Sequence, residues 1–294
     1  MTAITENMNC DTTDIDLQNG EQIARLINTE DKKVAITIEK ILPQIGKAID
    51  LIAEKLRNGG RMAYFGSGTS GRIGILDASE MTPTYGVPVG MVQAYISGGA
   101  KAVCSAVENA EDSAEFAMAD FMDFAPTEKD VVVAISASGN PEYTRKVLEL
   151  ARQKGVLTIA ITSNPEAKFK PYADIFLCAA VGPEVISGSS RMKAGTAQKM
   201  IVNMLSTGAM VRIGKTYHNY MVDLQIHNEK LWARAVRYVC EICNVSEQQA
   251  TETLLLAQNV KIACVMIAKN YNKDQAEELL RQKGGILRRI LEDE

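Results

Sequence analysis

Short continuous runs of apolar residues alternate along this chain with segments in which apolar residues recur at helical spacing. Five such runs predict buried strands, at Met62–Phe65, Met91–Ile96, Asp130–Ile135, Val156–Thr162 and Asp174–Leu177. Strands that are apolar throughout and joined by helices form parallel sheets covered on both faces, with right-handed crossovers. The pattern therefore predicts the α/β class, as a doubly wound αβα sandwich around a mainly parallel five-stranded sheet.

Helical spacing predicts most of the segments between these strands. Apolar residues at helical intervals indicate helices at Glu21–Ile27, Val34–Leu56, Ile73–Glu80 and Pro141–Lys154, and from Arg191 to Met210. We expect the helix Ile73–Glu80 to end at the turn-rich Met81–Gly86, and one continuous alanine-rich helix to follow Gly98–Gly99 through Ala114. The polar segment Asp11–Asp16 is predicted to be a lead-in that is not anchored to the fold.

The pattern changes near residue 245. Ser246–Lys269 and Lys273–Lys283 are amphipathic and helical in spacing, and Gly284–Gly285 precedes a last short helix. This pattern of amphipathic helices predicts a small C-terminal helical module. We expect N-terminal helices over residues 1–57, the sheet domain over 58–220, and a linker with the helical module over 221–294.

Composition and charge exclude several classes of protein. The chain has 294 residues, of which 46% are hydrophobic and 23% charged, the balance of an ordinary globular protein. Its net charge is −4 without a basic block, which argues against a nucleic acid or an anionic membrane as partner. Met1–Asp16 lacks the pattern of a signal peptide, and no apolar run approaches the roughly 20 residues that span a bilayer. We therefore expect a cytoplasmic protein.

Cysteine and histidine positions do not indicate a metal site. Cys240 and Cys243 form a C-x-x-C pair in a helical segment, but no second pair accompanies them. His218 and His227 precede this pair at no zinc-finger spacing. We predict buried free thiols and no bound metal.

Three loops rich in glycine and hydroxyl side chains carry the candidate chemistry. The first, Gly66–Arg72, lies between a strand and a helix, the second, Ser136–Asn140, follows the third strand, and the third, Ile186–Ser190, precedes a long helix. Unpaired backbone N–H groups and the helix dipole make a helix N-terminus an anion site, and ligands of parallel sheets bind at the carboxyl ends of strands. The loops predict a site for a polyhydroxylated phosphate ester, with the binding residues Ser67, Gly68, Thr69, Ser70, Ser136, Ser138, Gly139, Asn140, Ser189 and Ser190.

Simpler interpretations exist for the same residues. Gly66, Gly68 and Gly71 match the dinucleotide-binding pattern G-x-G-x-x-G, but the second strand ends in Ser97–Gly98–Gly99 without the acidic residue that holds a ribose. The glycine loop could also be a structural turn. Serines before a helix, such as Ser189 and Ser190, are commonly N-caps.

The loops, in this order, resemble the sugar isomerase (SIS) domain family and, within it, the N-acetylmuramic acid 6-phosphate etherases. The resemblance extends from Ile27–Asp31 to the C-terminal helices, and it is most specific over the twelve residues Gly188–Lys199. The chain departs from the etherase pattern at the second loop, where Ser138–Gly139–Asn140–Pro141 stands in place of Ser-Gly-Arg-Thr and so lacks a cation and a hydroxyl. The motifs that carry the resemblance are Gly66–Arg72, Leu76–Glu80, Ala110–Ser113 and Gly188–Lys199.

The resemblance implies a lyase that releases D-lactate from carbon 3 of N-acetylmuramic acid 6-phosphate during cell-wall sugar recycling, without a cofactor. It implies that Glu80 protonates the ether oxygen and that Glu111 removes the proton at carbon 2, and it implies a homodimer. From the residues alone, Glu80 could be a polar residue at a helix end, and Glu111 belongs to an acidic run typical of a solvated face. Arg191, Lys193 and His227 receive no assigned role.

Two other functions fit a phosphosugar-binding fold. One is a non-catalytic sensor that resembles the glucokinase regulatory protein, although that family uses two such domains in a longer chain. The other is an aldose–ketose phosphate isomerase, which also uses a carboxylate base at carbon 2. Neither would release lactate, so the reaction product distinguishes both from an etherase.

Overall fold

A parallel five-stranded sheet forms the centre of the larger part of the molecule. The computed structural model describes residues 4–292. The strands are β1 (Met62–Gly66), β2 (Val92–Ile96), β3 (Val131–Ile135), β4 (Leu157–Thr162) and β5 (Ile175–Cys178). Their order across the sheet is β2-β1-β3-β4-β5, and every neighbouring pair is parallel. The predicted sheet is confirmed.

Helices cover both faces of this sheet, as the apolar runs predicted. Their bounds are α1 (Gly20–Glu39), α2 (Leu42–Arg57), α3 (Gly68–Tyr85), α4 (Lys101–Cys104), α5 (Ala114–Phe124), α6 (Glu142–Gln153) and α7 (Lys193–Arg212). On one face, Phe121 of α5 and Val147 of α6 share a buried cluster with Phe65 of β1. On the other face, the Tyr64 hydroxyl donates to Asp77 of α3 at 2.8 Å and contacts the Val202 carbonyl of α7.

Three predicted helices have different bounds in the structure. The helix predicted at Val34–Leu56 is interrupted, since α2 begins anew with Pro43 in its first turn, where the missing N–H costs nothing. The turn predicted at Met81–Gly86 is wrong, because α3 continues through Pro83 to Tyr85. The continuous alanine-rich helix is also wrong: Asn109 adopts a left-handed conformation with φ of 57°, and this separates α4 from α5.

The segment Asp11–Asp16 is anchored, contrary to the prediction. Thr12 is buried, and its hydroxyl donates to the carbonyl of Val185 at 2.8 Å. Asp11 forms an ion pair with Lys33 of α1 at 2.9 Å. No local pattern indicates these contacts, because they join residues far apart in the chain.

The chain divides into two compact units. The first contains residues 4–78 and Gly90–Ser206, and the second contains Ser79–Val89 with residues 207–292. The inclusion of Ser79–Val89 in the second unit was not expected. The boundaries predicted at 57/58 and 220/221 stay predictions.

Beyond the last turns of α3 and α7, the second unit contains a hairpin and five further helices. The hairpin joins β6 (Thr216–Tyr217) to β7 (Tyr220–Met221), and the helices are α8 (Glu229–Cys243), α9 (Glu247–Ala257), α10 (Val260–Lys269), α11 (Lys273–Gln282) and α12 (Arg288–Leu291). The single helix predicted at Ser246–Lys269 is wrong, because Gln258 takes a left-handed conformation and Asn259 caps α10. None of the described helices is by itself long and apolar enough to cross a bilayer, and the pair α9 and α10 meets that test only when joined across a bend of 115°.

Candidate functional site

The first loop makes a sharp turn from β1 into α3, and glycine is required at both ends of it. A Cβ at Gly66 would lie 2.7 Å from the backbone nitrogen of Gly71, and one at Gly71 would lie 2.6 Å from Cγ1 of Ile96. Because the turn is this tight, α3 begins directly after the strand. The backbone N–H groups of Gly68, Thr69 and Ser70 have no hydrogen-bond partner among the described residues. They form an open, positively polarised helix end.

The second loop is held rigidly between β3 and α6. Ser136 accepts a hydrogen bond from the Gly139 N–H at 3.0 Å, and Ser138 accepts one from the Asn140 N–H at 3.3 Å. Asn164, beyond β4, donates to the carbonyl of Ser138 at 2.8 Å. Pro141 stands at the N-cap of α6, where no side chain caps the helix.

The third loop is fastened by the N-terminal segment. The Gly188 N–H donates to the carbonyl of Thr5 at 3.0 Å, and the Ser187 hydroxyl donates to the carbonyl of Glu6 at 2.7 Å. The loop precedes α7, but its serines do not cap that helix.

The N-terminus of α7 is occupied by a buried carboxylate instead. Glu184 accepts hydrogen bonds from the backbone N–H groups of Lys193 and Ala194, both at 2.9 Å. Burial raises the pKa of Glu184, and these two hydrogen bonds oppose the rise. The N-cap interpretation of Ser189 and Ser190 is therefore wrong.

The three loops meet around one cavity of about 260 Å³ in the first unit. Its position follows from the sheet: β1 and β3 are neighbours at which the chain reverses its direction across the sheet, and ligands of doubly wound folds bind at such a switch point. The Oγ of Ser67 is buried there and has no hydrogen-bond partner among residues 4–292. Of the predicted binding residues, those that line the cavity are Ser67, Gly68, Thr69, Ser70, Ser136, Ser138 and Ser190.

A second cavity of about 240 Å³ adjoins the first. Ser67 and Gly68 line both cavities, and so does Glu111. Glu111 lies in the short 3-10 turn Ala110–Asp112. The Ser97 hydroxyl, which follows β2, donates to the carbonyl of Ala110 and fixes this turn against the sheet. The structure thus brings one exposed carboxylate to the junction of two cavities.

The remaining predicted residues occupy other positions. Gly139, Asn140 and Ser189 belong to the second and third loops but are not among the described residues that line either cavity. Glu80 is an exposed residue of α3 in the segment that belongs to the second unit. The roles of these residues stay predictions.

Lys193 is paired with a buried carboxylate and is not among the described residues that line either cavity. Its Nζ lies 2.5 Å from Oε2 of Glu30, and both side chains are 2% exposed. Burial alone would raise the pKa of Glu30, but hydrogen bonds from Lys193, Lys33 and Asn9 outweigh it and lower the pKa to about 2. The pair therefore joins α1 to α7 as a buried ion pair. Arg191, by contrast, is exposed.

The lining residues to which the sequence interpretation gave no role include Thr5, Glu6 and Arg72. Thr5 and Glu6 line the first, and Arg72 lines the second. Arg72 is the last residue of the Gly66–Arg72 motif, but the sequence alone assigns it no role. Nothing local distinguishes Thr5 or Glu6, since they reach the site through contacts with a loop more than half the chain away. No group of three His, Cys, Asp or Glu side chains that could hold a metal occurs within residues 4–292.

Comparison with known families gives two matches along the chain. The pattern of the glucokinase regulatory protein N-terminal SIS domain matches residues 44–168. The pattern of the C-terminal lid domain of glucokinase regulatory protein matches residues 218–261. Each match covers less than half of the chain.

Curated relatives match over nearly the whole length. An N-acetylmuramic acid 6-phosphate etherase from Escherichia coli is 47% identical over 293 residues, which cover 99% of this chain and 98% of the relative. One from Glaesserella parasuis is 46% identical over 289 residues, which cover 97% and 94%.

Solved structures share less with the chain. A phosphoheptose isomerase from Neisseria gonorrhoeae is 18% identical with a TM-score of 0.49, covering 64% of this chain and 97% of that one. A phosphoheptose isomerase from Francisella tularensis is also 18% identical, with a TM-score of 0.46 and coverage of 65% and 98%.

Proposed function

The chain belongs to the N-acetylmuramic acid 6-phosphate etherase family, and from this premise we propose that it converts N-acetylmuramic acid 6-phosphate to N-acetylglucosamine 6-phosphate and D-lactate. The observation that carries the proposal is identity of 46% and 47% with two such etherases over almost the full length of both partners. It agrees with the resemblance in the sequence motifs. We place the reaction in the cytoplasm, as a step in cell-wall sugar recycling.

The first cavity is proposed to hold the phosphate of the substrate. Hydroxyl groups from three loops line it, and so do Gly68, Thr69 and Ser70 at the open N-terminus of α3. Short hydroxyl donors and free backbone N–H groups suit a phosphate, which presents several acceptor oxygens. The buried Oγ of Ser67 would gain a partner when a phosphate binds. Gly139, Asn140 and Ser189 would complete the contacts from the loops that bear them.

Glu111 is proposed as the general base. In the ring-opened sugar, the hydrogen at carbon 2 is acidic because it adjoins the aldehyde, and a carboxylate can remove it. A residue at the junction of two cavities can reach the middle of a substrate whose phosphate occupies one of them. Glu111 has this position.

Glu80 is proposed as the general acid. When the C2–H bond breaks, its electron pair forms the C2–C3 double bond and the C3–O bond to lactate breaks. An alkoxide is a poor leaving group, so a carboxylic acid must protonate the oxygen as it departs. Water then adds to carbon 3 of the unsaturated aldehyde, and a proton returns to carbon 2.

The resemblance to the SIS family implies a homodimer, and we propose that it holds for this chain. Glu80 is not among the described residues that line either cavity. We therefore propose that each phosphate site is completed by Glu80 of the partner subunit. Mixing two inactive variants tests this arrangement.

The experiment is to refold or co-express Glu80→Gln with Glu111→Gln. If the two residues act across subunits, half of the dimers are hybrids with one intact site each, and about a quarter of the wild-type activity returns. If both residues act within one chain, no site in any hybrid is intact and no activity returns. The second result would overturn the shared site and leave the reaction itself in place.

The reaction is tested by D-lactate release from N-acetylmuramic acid 6-phosphate. The wild type should release lactate, and each glutamine variant should lose at least about 100-fold in rate, the usual contribution of general acid–base catalysis. Asp112→Asn is the matched control, because Asp112 neighbours Glu111 but lies outside the described lining of both cavities.

A phosphosugar-sensing regulator is the second candidate, favoured by the two matches to glucokinase regulatory protein domains. A folded wild type that binds N-acetylglucosamine 6-phosphate but releases no lactate would support it and refute the etherase. An aldose–ketose isomerase would instead convert a sugar phosphate without lactate.

A further inference from the structure

Both cavities are lined by carboxylates, Glu6 and Glu111 in the first and Glu108 and Glu111 in the second, but they differ in cationic residues. Among the described residues that line them, Arg72 is the one cation, and it lines the second cavity rather than the first. Glu108 lines the second cavity together with Glu111, and both carboxylates are exposed. An anionic ligand group in the second cavity would be repelled by these two carboxylates unless the charge of Arg72 compensated for them, whereas a neutral ligand group would need no cation in that cavity.

Arg72 is held in a fixed orientation by backbone carbonyls. Its Nε donates to the carbonyl of Val103 at 2.8 Å, and its Nη2 donates to the carbonyls of Ala102 at 2.8 Å and Ser105 at 3.2 Å. These bonds engage one edge of the planar guanidinium. The two N–H groups of Nη1 have no hydrogen-bond partner within residues 4–292.

An arginine fixed in this way is suited to recognise a carboxylate. The guanidinium keeps its charge at every physiological pH, and because its orientation is already set, little side-chain freedom is lost on binding. Hydrogen bonds between charged partners are the strong ones. The remaining N–H groups can therefore discriminate between a ligand that bears a carboxylate and one that does not.

We propose that Arg72 binds the carboxylate of the lactyl group through Nη1, so that the second cavity is the subsite for the part of the substrate that leaves. The inference rests on the proposed function, because it takes the lactyl ether as the substrate. Carbons 4 and 5 separate carbon 6, which bears the phosphate, from carbon 3, which bears the lactyl group, so the two anionic groups can occupy adjoining cavities. With the phosphate in the first cavity and the carboxylate at Arg72, carbons 2 and 3 come to the junction where Glu111 lies.

The test compares two ligands that differ in the lactyl group. Calorimetry on the Glu111→Gln background, which leaves the substrate intact, measures the affinities for N-acetylmuramic acid 6-phosphate and for N-acetylglucosamine 6-phosphate. Adding Arg72→Gln should weaken the affinity for N-acetylmuramic acid 6-phosphate by at least about 10-fold, which corresponds to the loss of a charged hydrogen bond. The affinity for N-acetylglucosamine 6-phosphate should change by less than about threefold. Lys101→Gln, an exposed cation of α4 outside the described lining, should change neither.

A structural role for Arg72 predicts a different result. If the arginine only holds Ala102–Ser105 in place, its loss weakens both ligands equally, and this outcome would overturn the proposal. So would unchanged affinity for both. Arg72→Lys, which keeps the charge without the fixed fork, should fall between the wild type and the glutamine variant for the lactyl ligand alone.

A measurement without any change at Arg72 covers the case in which the variants do not fold. The methyl ester of the lactyl carboxylate removes the charge from the ligand, and the Glu111→Gln protein with Arg72 intact should bind it at least about 10-fold more weakly than the acid. Equal affinity for ester and acid would refute the inference. Lactate release by the wild type is assayed separately, so failure of the subsite is distinguishable from failure of the etherase reaction.

Discussion

Replacing Glu30 with glutamine removes the charge of one partner of a buried ion pair and leaves the other in place. Glu30 accepts hydrogen bonds from Lys193 at 2.5 Å and from Asn9 at 3.0 Å, and it is also bonded to Lys33. The amide of glutamine has nearly the same shape but carries no charge. Lys193 would then remain buried at the start of α7, immediately after the loop that bears Ser190.

The magnitude follows from the pKa of Glu30. Burial raises the pKa, but the hydrogen bonds from its three partners outweigh burial and lower it from 4.5 to about 2. At about 1.4 kcal/mol for each tenfold change in proton affinity, this corresponds to about 3 kcal/mol of stability at neutral pH. Removal of one partner of a buried pair typically costs about 3–5 kcal/mol, which agrees.

The pH dependence has a definite sign. Because the folded-state pKa is depressed, the stabilisation is fully present above pH 4.5 and is lost as the pH falls towards 2. Glu30→Gln has no such carboxylate, so its deficit relative to the wild type should be about 3 kcal/mol at pH 7 and should shrink steadily below pH 4.5.

Urea unfolding followed by far-ultraviolet circular dichroism measures this difference at a series of pH values. Glu21→Gln is the matched control, because it makes the same chemical change on the same helix. Its side chain is 73% exposed and pairs with Arg25, so it should cost less than about 0.5 kcal/mol. A deficit for Glu30→Gln below about 1 kcal/mol at pH 7, or one that does not change with pH, would refute the reasoning.

Two further changes test the first loop and the packing beneath it. Gly71→Ala, whose Cβ would lie 2.6 Å from Ile96, should lower the unfolding free energy by about 1–3 kcal/mol and weaken binding of inorganic phosphate. Gly46→Ala, with open space around it in α2, should instead raise the unfolding free energy by about 0.5–1 kcal/mol. Similar melting temperatures for the two variants would contradict this. Burial raises the pKa of Asp77 and the Tyr64 hydroxyl opposes the rise, so Tyr64→Phe should raise that pKa further and cost about 1–3 kcal/mol. A raised carboxyl pKa makes stability fall as the pH rises through it, so the loss measured by chemical denaturation should grow between pH 3.8 and about pH 8, and a loss that is the same throughout this range would contradict the assignment.

The strands and the first two loops could be predicted because their signals are local. A buried parallel strand is apolar over its whole length, and β1 and β3 are fully buried. A glycine loop between a strand and a helix can be recognised from a few residues. The helix ends were predicted less well, because the apolar spacing continues past two local signals, Pro43 in the first turn of α2 and Asn109 with its positive φ.

The remaining parts of the site depend on contacts between distant residues. Glu30 and Lys193 are separated by 163 positions, and nothing near either residue indicates the other. Glu184 caps α7 from outside the motif that precedes the helix, so Ser189 and Ser190 looked like caps. Arg72 could be seen in the sequence, but its fixed orientation is a consequence of the way α4 ends against it.

The distribution of charge in the two cavities is consistent with turnover by the proposed reaction. Substrate and product share the phosphate, so a contact there stabilises both, and interactions that hold both alike do not accelerate the chemical step. The first cavity presents hydroxyls, a helix end and the carboxylates of Glu6 and Glu111, without a cation in its described lining. Under our proposal, the cation Arg72 in the second cavity contacts only the lactyl group, which leaves in the reaction. Binding energy is then concentrated on the lactyl ether, and N-acetylglucosamine 6-phosphate, once formed, is held by the neutral donors alone and can dissociate.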